Sequence, residues 1–468
     1  MNQQINTRTV ILDILTEVNE NGQFVNKVLN SALKKYQYLP RNERAFISRT
    51  VLGSVERRIT LDYIIDIFSK VKTVKLKPVI RNILRMSVYQ IIYMDGIKDF
   101  AVCNEGVKLA SKRGFANLKG YVNGVLRNIV RNKDNIKMPD ADKDILFCLS
   151  VKYSMPQWII KMWIKQKGME NTVKMLEAQF EKRPLTIRCN CVRITPEELC
   201  ERFNQKGIKA EISPYLPEAL EISGFDYLEG LEEFKEGLFF VQDISSMLVC
   251  HAADPKEGDY VIDLCAAPGG KSTHIAETLH NTGTVESRDL TYDKVELIND
   301  NIERLGLTNI NTAVHDACVA DKDLVGKADI VIADLPCSGL GIINKKPDIK
   351  YHATMEGCEE LAGLQRKILS VAAEYVKPGG VLVYSTCTVN MHENFSNASW
   401  FCHNFPFHAA DITGNIPKEF AYSFLHPGKE NDDRYLEIIP GALNNHENAE
   451  TNTNYDGFFI AKFVRDGN

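Results

Sequence analysis

The chain has 468 residues, about three times a common domain of roughly 150, so two or three cores are expected. With 44% hydrophobic and 25% charged residues it is neither a disordered nor a collagen-like chain, and no apolar run reaches the length of a membrane span. The net charge of -5 averages unlike parts: residues 1–140 carry 24 Lys and Arg against 12 Asp and Glu, a surplus of +12 that leaves -17 for the rest. A basic lobe of that size is a footprint for a polyanion, with nucleic acid the leading candidate. The first ten residues hold no apolar leader core, so a cytoplasmic location is expected. The 12 cysteines, scattered from Cys103 to Cys402, have neither disulfide-scaffold nor zinc-site spacing, and no metal is expected.

In chain order, Val10, Ile11, Ile14, Leu15 and Val18 recur at helical spacing, as do Ile80, Ile83, Leu84, Val88, Ile91 and Ile92. An all-α domain over residues 1–138 follows. Arg41, Arg44, Arg49, Arg57, Arg58, Lys72, Lys75, Lys77, Arg81 and Arg85 fall between the apolar stripes and are expected mostly on solvated faces. The polar stretch from Asn132 to Asp142 reads as a linker. Residues 145–235 mix a helical period through Trp158 to Phe180, an alternating strand at Leu185-Thr-Ile-Arg-Cys-Asn and a capped helix after Thr195-Pro-Glu-Glu. They read as a small α+β unit, a platform for substrate. From residue 236 to 468, apolar strands at Tyr260, Thr284, Ile330 and Gly380 alternate with amphipathic helices, which predicts a parallel, doubly wound α/β sheet. The stretch Asn444 to Asn454 reads as a polar loop before a last strand, Gly457 to Val464.

The first of those strands ends in Asp263-Leu-Cys-Ala-Ala-Pro-Gly-Gly-Lys-Ser-Thr. A phosphate-cradling Walker loop needs glycine where Cys265 stands, which argues against a nucleoside triphosphatase. The alternative is a nucleoside cofactor held by the turn Cys265, Ala266, Ala267, Pro268, Gly269, Gly270 and Lys271, where glycines admit close backbone approach and a helix N-terminus supplies donors. Asp289, 26 residues after Asp263, stands where an acid takes ribose hydroxyls, and Asp316 after the third strand is placed for an adenine amino group. The next two strands end in Asp334-Leu-Pro-Cys337-Ser-Gly and Tyr384-Ser-Thr-Cys387-Thr. Two cysteines at strand tips beside a cofactor turn and a carboxylate suggest covalent chemistry.

These motifs carry a resemblance. Asp-Leu-Cys-Ala-Ala-Pro-Gly-Gly-Lys-Ser-Thr, Ala-Asp-Leu-Pro-Cys-Ser-Gly and Tyr-Ser-Thr-Cys-Thr are similar to the cofactor, Pro-Cys and Thr-Cys motifs of the RNA cytosine-C5 methyltransferases that use S-adenosylmethionine, and Asp456-Gly-Phe-Phe is similar too. Asn123-Gly-Val-Leu-Arg-Asn resembles the NusB-like RNA-binding domain that precedes the catalytic part in the Sun/Fmu group of bacterial small-subunit rRNA methyltransferases. The departures are Thr388 where a Ser is common, and Glu286-Ser-Arg-Asp289, more polar than usual.

The resemblance implies a Rossmann-like methyltransferase domain and 16S rRNA, naked or early in assembly, as the partner; no surface stripe marks a dimer seam, so a monomer is expected. It makes Cys387 the nucleophile on cytosine and Cys337 the second cysteine that assists release. Asp334 is placed to touch the cytosine ring or the cofactor's methionine, and Lys271 to stabilise charge. Lys271 has the plainer options of capping a carbonyl or pairing with Asp263. Lys345, Lys346 and Lys350 beyond Cys337 either touch RNA or form a solvated loop. Two other functions share the pattern: the same chemistry on tRNA, and a non-catalytic RNA-binding assembly or antitermination factor, against which the intact Cys337, Cys387, Lys271 and Asp334 count.

Overall fold

The computed structural model describes residues 6–420, 425–427, 434–441 and 455–467. Among them no helix is long and apolar enough to cross a membrane. The chain forms two compact units: residues 1–172 with 343–352, and residues 173–342 with 353–468.

The first unit is helical. Helix Thr7–Glu20 starts at Asn6, whose side chain accepts from Thr9 N, and buries Val10, Ile11, Ile14, Leu15 and Val18 as their spacing requires. Helix Pro78–Tyr93 opens with proline at its first position and buries Ile80, Ile83, Leu84, Val88 and Ile91 in the same core. Each such side chain contributes on the order of 1.5–3 kcal/mol by leaving water. The arginines divide. Lys72, Lys75, Lys77, Arg41 and Arg49 are exposed as expected, but Arg44, Arg57, Arg58, Arg81 and Arg85 are partly or fully buried. Arg85 is 7% exposed and donates two hydrogen bonds to Asp62 at 2.7 and 2.6 Å. Arg81 pairs with Glu20 at 2.5 Å, and the Arg58 guanidinium lies 3.5 Å from the Tyr351 ring centroid. A guanidinium reaches a partner on the next helix, which a one-dimensional stripe of charges does not reveal.

Tyr351 belongs to a segment, residues 343–352, that comes after the Pro-Cys motif in sequence yet packs in this helical unit. Asp348 accepts from Val25 N at 2.7 Å, at the start of helix Val25–Lys35, and the Lys345 carbonyl accepts from Asn26 at 3.0 Å. Lys345 and Lys346 are exposed, but Lys350 is fully buried and donates to the Glu56 carbonyl at 2.8 Å. Burial pushes its ammonium down to about 7. Lys350 is therefore neither an RNA contact nor part of a solvated loop. Three lysines in ten residues looked like a polar surface, and only packing separates the third.

The second unit contains two sheets. Strands β1 (Leu185–Cys189), β2 (Lys209–Ile212), β3 (Ala219–Ser223) and β4 (Phe239–Val241) form an antiparallel sheet in the order β2-β3-β1-β4. Its helix Pro196–Gln205 begins with a complete capping box between Thr195 and Glu198. The nine-stranded sheet includes β5 (Tyr260–Asp263), β6 (Thr284–Asp289), β7 (Ile310–Val314), β8 (Ala328–Asp334) and β9 (Val376–Thr386), all parallel in the order β7-β6-β5-β8-β9 with β7 at the end of the sheet. β10 (Phe407–Ala409), β11 (Leu425–Pro427), β12 (Arg434–Ile438) and β13 (Phe458–Arg465) are added antiparallel, β13 against β9 and β10 against β13. The sheet is thus mixed rather than wholly parallel, because these last strands are not each joined by the crossover helix that parallel pairing needs. The loop expected at Asn444 to Asn454 lies outside the described residues. Because the five parallel strands run the same way, Asp263, Asp289, Asp334 and Thr386 end at one carboxyl edge.

Candidate active site at the carboxyl edge of the sheet

β5 leads through the glycine-rich turn into helix Gly270–Thr278. Gly269 sits at φ +100°, where a side chain is strained, and caps the helix; its N–H bonds the Ala266 carbonyl at 2.6 Å. Asp289 braces the turn: its carboxylate accepts from Ala267 N at 3.0 Å, from Leu290 N at 2.7 Å and from Lys294 at 2.9 Å. Asp316 is exposed and accepts from Cys318 N at 2.9 Å, capping its own turn. Asp263 is fully buried. Ser272 donates to its Oδ2 at 2.6 Å, while Oδ1 has no hydrogen-bond partner among the described residues. Burial pushes this carboxyl up to about 7, against the pull of Ser272 and Lys271.

The turn is also held from the small sheet. Arg188 on β1 is fully buried and donates to both carboxylate oxygens of Glu277 at 2.9 and 3.1 Å, to Thr273 Oγ1 at 3.0 Å and to the Gly270 carbonyl at 2.8 Å. A second bond goes from the same nitrogen to Gln242. All but Gln242 lie on helix Gly270–Thr278. Removing Arg188 would leave the buried Glu277 uncompensated, so the small sheet fixes where the helix starts.

Lys271 projects from that helix toward β8 rather than back to Asp263. Its ammonium meets Asp334 Oδ2 at 2.5 Å and Ser246 Oγ at 3.1 Å, and lies 5.5 Å from the centroid of the Phe458 ring. Ser385 on β9 donates to the other Asp334 oxygen at 2.8 Å. Beyond the ends of β8 and β9, by three residues and one residue, the sulfurs of Cys337 and Cys387 stand 3.3 Å apart, both half-buried. The hydrogen bond to Cys387 is the main reason that the Cys337 thiol is pushed well above its ordinary range, with burial, the charge of Cys387, Glu393 and Asp334 adding to it. The two thiols share a hydrogen bond in which either sulfur can donate.

Beneath the sulfurs lies Glu393, fully buried, which accepts from Ser338 N at 2.8 Å, Ser338 Oγ at 2.6 Å, Asn390 at 2.9 Å and Gln365 at 3.2 Å. Gln365 also holds the Pro336 carbonyl at 2.9 Å, and Thr388 Oγ1 meets Ser338 Oγ at 2.8 Å. On the other side Gly341 N donates to the Cys387 carbonyl at 3.1 Å, and Gly457 N to the Gly341 carbonyl at 2.8 Å. A Cβ on Gly341 would come within 2.0 Å of the Gly457 carbonyl, so the Asp-Gly-Phe-Phe ending supplies a glycine for close backbone approach.

The structure thus gathers the turn 265–271 with Asp289 in one place and Lys271, Asp334, Cys337 and Cys387 in another along the same edge, with Asp316 beyond them after β7. Sequence reading missed Arg188, Glu393, Ser246, Ser338 and Ser385. Glu393 had a faint signal in its closeness to the Thr-Cys motif, and Arg188 had none beyond its place in an alternating strand. Glu218, His251 and His274 also bring one ligand atom each within 4.8 Å of one another, but His251 and Glu218 already share a hydrogen bond at 2.6 Å, and none of the three contacts the cysteine pair.

An orphaned buried carboxylate oxygen, a left-handed glycine and an N-terminal helical turn fit S-adenosylmethionine, whose ribose and amino groups need acceptors and whose carboxylate needs donors. Comparison with known proteins agrees. The model of 16S rRNA methyltransferase RsmB/F matches residues 250–464, that of the NusB family residues 5–131, and that of the RsmF/B-like ferredoxin-like domain residues 155–225. The chain is 34% identical to the probable ribosomal RNA small subunit methyltransferase B of Bacillus subtilis over 99% of this chain and 100% of that one. It is 32% identical to the protein of the same description from Synechocystis, over 83% and 87%. Among solved structures, PH0851 superposes with a TM-score of 0.80 at 25% identity, covering 99% of this chain and 100% of that one. NSun6 from Pyrococcus horikoshii with SFG, an analogue of S-adenosylmethionine, gives 0.56 at 25% identity over 67% and 99%. The chain belongs to the RsmB/F family of S-adenosylmethionine-dependent ribosomal RNA methyltransferases.

Proposed function

We propose that the protein methylates carbon 5 of one cytosine in 16S rRNA, with Cys387 as the nucleophile and Cys337 as its proton partner. The observation that carries this reading is the 3.3 Å approach of the two sulfurs beside the Lys271–Asp334 pair. S-adenosylmethionine supplies the methyl group as an electrophile. Carbon 5 of cytosine is a poor nucleophile; addition of the Cys387 sulfur to carbon 6 turns the ring into an enamine whose carbon 5 is reactive. A thiol 3.3 Å away can donate to the Cys387 sulfur and so stabilise charge on it. Once Cys387 is bonded to carbon 6, the largest cause that raised Cys337, its hydrogen bond to Cys387, is gone. Its own proton is then released to solvent, and Cys337 accepts the proton from carbon 5 as Cys387 is expelled. Lys271 and Asp334 set an ion pair where charge grows on the ring; Asp334 faces the cytosine amino group or the cofactor's methionine.

A cytosine in a duplex is out of reach, so the target is a loop or a flipped base, which costs about a few kcal/mol and favours naked or early-assembly rRNA. The first unit supports the RNA reading: Lys119, Arg127 and Arg131 are exposed on helix Lys119–Asn132, and Gly120 and Gly124 leave open space there. The test is methyl transfer from labelled S-adenosylmethionine to 16S rRNA, assembled small subunits and bulk tRNA, with bisulfite mapping of the product. One protected cytosine in naked 16S rRNA is expected. Label only in tRNA, or a modified base other than 5-methylcytosine, overturns the reading.

A further inference from the structure

The cysteine pair has a second chemistry open to it. Its sulfurs are 3.3 Å apart and already share a proton, so reaching the about 2.05 Å of a disulfide requires the two side chains to close by little more than about 1 Å. Both are half-buried at the open edge of the sheet, while Cys103, Cys189, Cys250 and Cys358 are buried, and burial pushes Cys250 and Cys358 up to about 12. Oxidants that act on thiolates are thereby directed away from those four. We propose that Cys337 and Cys387 are a redox modification site, in which a hydroperoxide converts the two thiols into a reversible disulfide that switches methyl transfer off.

The steps balance. The Cys387 sulfur attacks the peroxide; a sulfur–oxygen bond forms, the oxygen–oxygen bond breaks and an alcohol or water leaves, giving the sulfenic acid. The Cys337 sulfur then attacks that sulfur; the disulfide forms, the sulfur–oxygen bond breaks and hydroxide departs with the Cys337 proton as water. Two thiols lose two electrons and two protons, and the hydroperoxide is reduced. A neighbouring thiol at this distance intercepts the sulfenic acid before a second oxidation, so Cys337 would protect as well as silence the nucleophile. The loss of activity rests on the reading of Cys387 as nucleophile; the disulfide itself does not.

The test treats the purified full chain with one equivalent of hydrogen peroxide, blocks free thiols, and follows intact mass, non-reducing peptide mapping and methyl transfer in parallel. Expected are a loss of about 2 Da, a cross-linked pair of peptides bearing Cys337 and Cys387, and activity reduced at least about tenfold and restored by dithiothreitol. In Cys337→Ser, given two or more equivalents of hydrogen peroxide, the cross-link is absent and Cys387 gains about 32 Da as sulfinic acid, which dithiothreitol does not reverse. Wild-type protein that gains oxygen on Cys387 without cross-linking, or cross-links Cys189 to Cys191 instead, overturns the proposal. A Cys337–Cys387 cross-link with unchanged methyl transfer keeps the site and removes Cys387 as the nucleophile.

Discussion

The cofactor turn and the cysteine pair share one sheet edge and are braced by opposite means. Around helix Gly270–Thr278 the brace is buried charge: Arg188 spans Glu277, Thr273 and the Gly270 carbonyl, and Asp289 holds Ala267. Around Cys337 and Cys387 it is mainly amides, hydroxyls and backbone, gathered on one carboxylate, Glu393, with the sulfurs left half-exposed. A binding turn keeps the same partners throughout a cycle, and buried ion pairs reward a fixed geometry. A nucleophile changes covalent partner twice per turnover, and its support holds the backbone while leaving the sulfurs half-exposed.

That contrast can be broken at either end. The largest effect is expected for Cys387→Ala: methyl transfer falls by at least about 10⁴-fold while RNA affinity stays within about twofold, measured by label transfer and filter binding. Next is Arg188→Ala, which strands Glu277 and lowers stability by about 3–5 kcal/mol in denaturant titration. The double variant Arg188→Met with Glu277→Leu removes both charges and recovers most of that stability. If Arg188 positions the turn, its KM for S-adenosylmethionine remains raised about tenfold while kcat and the KM for RNA change little.

Asp263 comes third. Its folded carboxyl lies at about 7 against 3.8 for an ordinary aspartate, so its protonated form suits the fold, and the stability it brings is lost as pH rises from about 4 to 7. Asp263→Asn in cofactor-free protein is therefore expected to gain about 2–3 kcal/mol more stability, relative to wild type, at pH 8 than at pH 5; an equal effect at both removes the buried-carboxyl account. Smallest is Glu393→Gln, which brings an amide donor against groups that all donate to Glu393. It should lower kcat about tenfold with an unchanged KM for S-adenosylmethionine. A raised KM instead would erase the division between the two braces.

The parallel strands and the edge they share were legible because buried strands are continuous apolar runs and the chemistry sits where each run stops. Asp263, Asp334 and Cys387 are read that way, whereas Asp289 ends the polar stretch Glu286-Ser-Arg and was read from its spacing after Asp263. The partners of those residues were not legible. Lys271 finds Asp334, 63 residues away, rather than the nearer Asp263, because helix Gly270–Thr278 turns the side chain toward β8. Arg188 looks like the outward residue of an alternating strand, yet β1 is covered where Arg188 stands. Lys350 shares a lysine-rich stretch with exposed Lys345 and Lys346 and is buried only because residues 343–352 pack in the helical unit. Periodicity reports one face of one element, whereas buried charge is decided by which element comes opposite.

The central claim is that Cys387 makes the bond to cytosine and Cys337 helps to break it. Incubating Cys337→Ala with S-adenosylmethionine and 16S rRNA, then separating the products on a denaturing gel and mapping the linked peptide, tests both halves together. The account predicts a slow enzyme that accumulates a protein–RNA adduct through Cys387. Normal turnover with no adduct, or an adduct through any other residue, would contradict it.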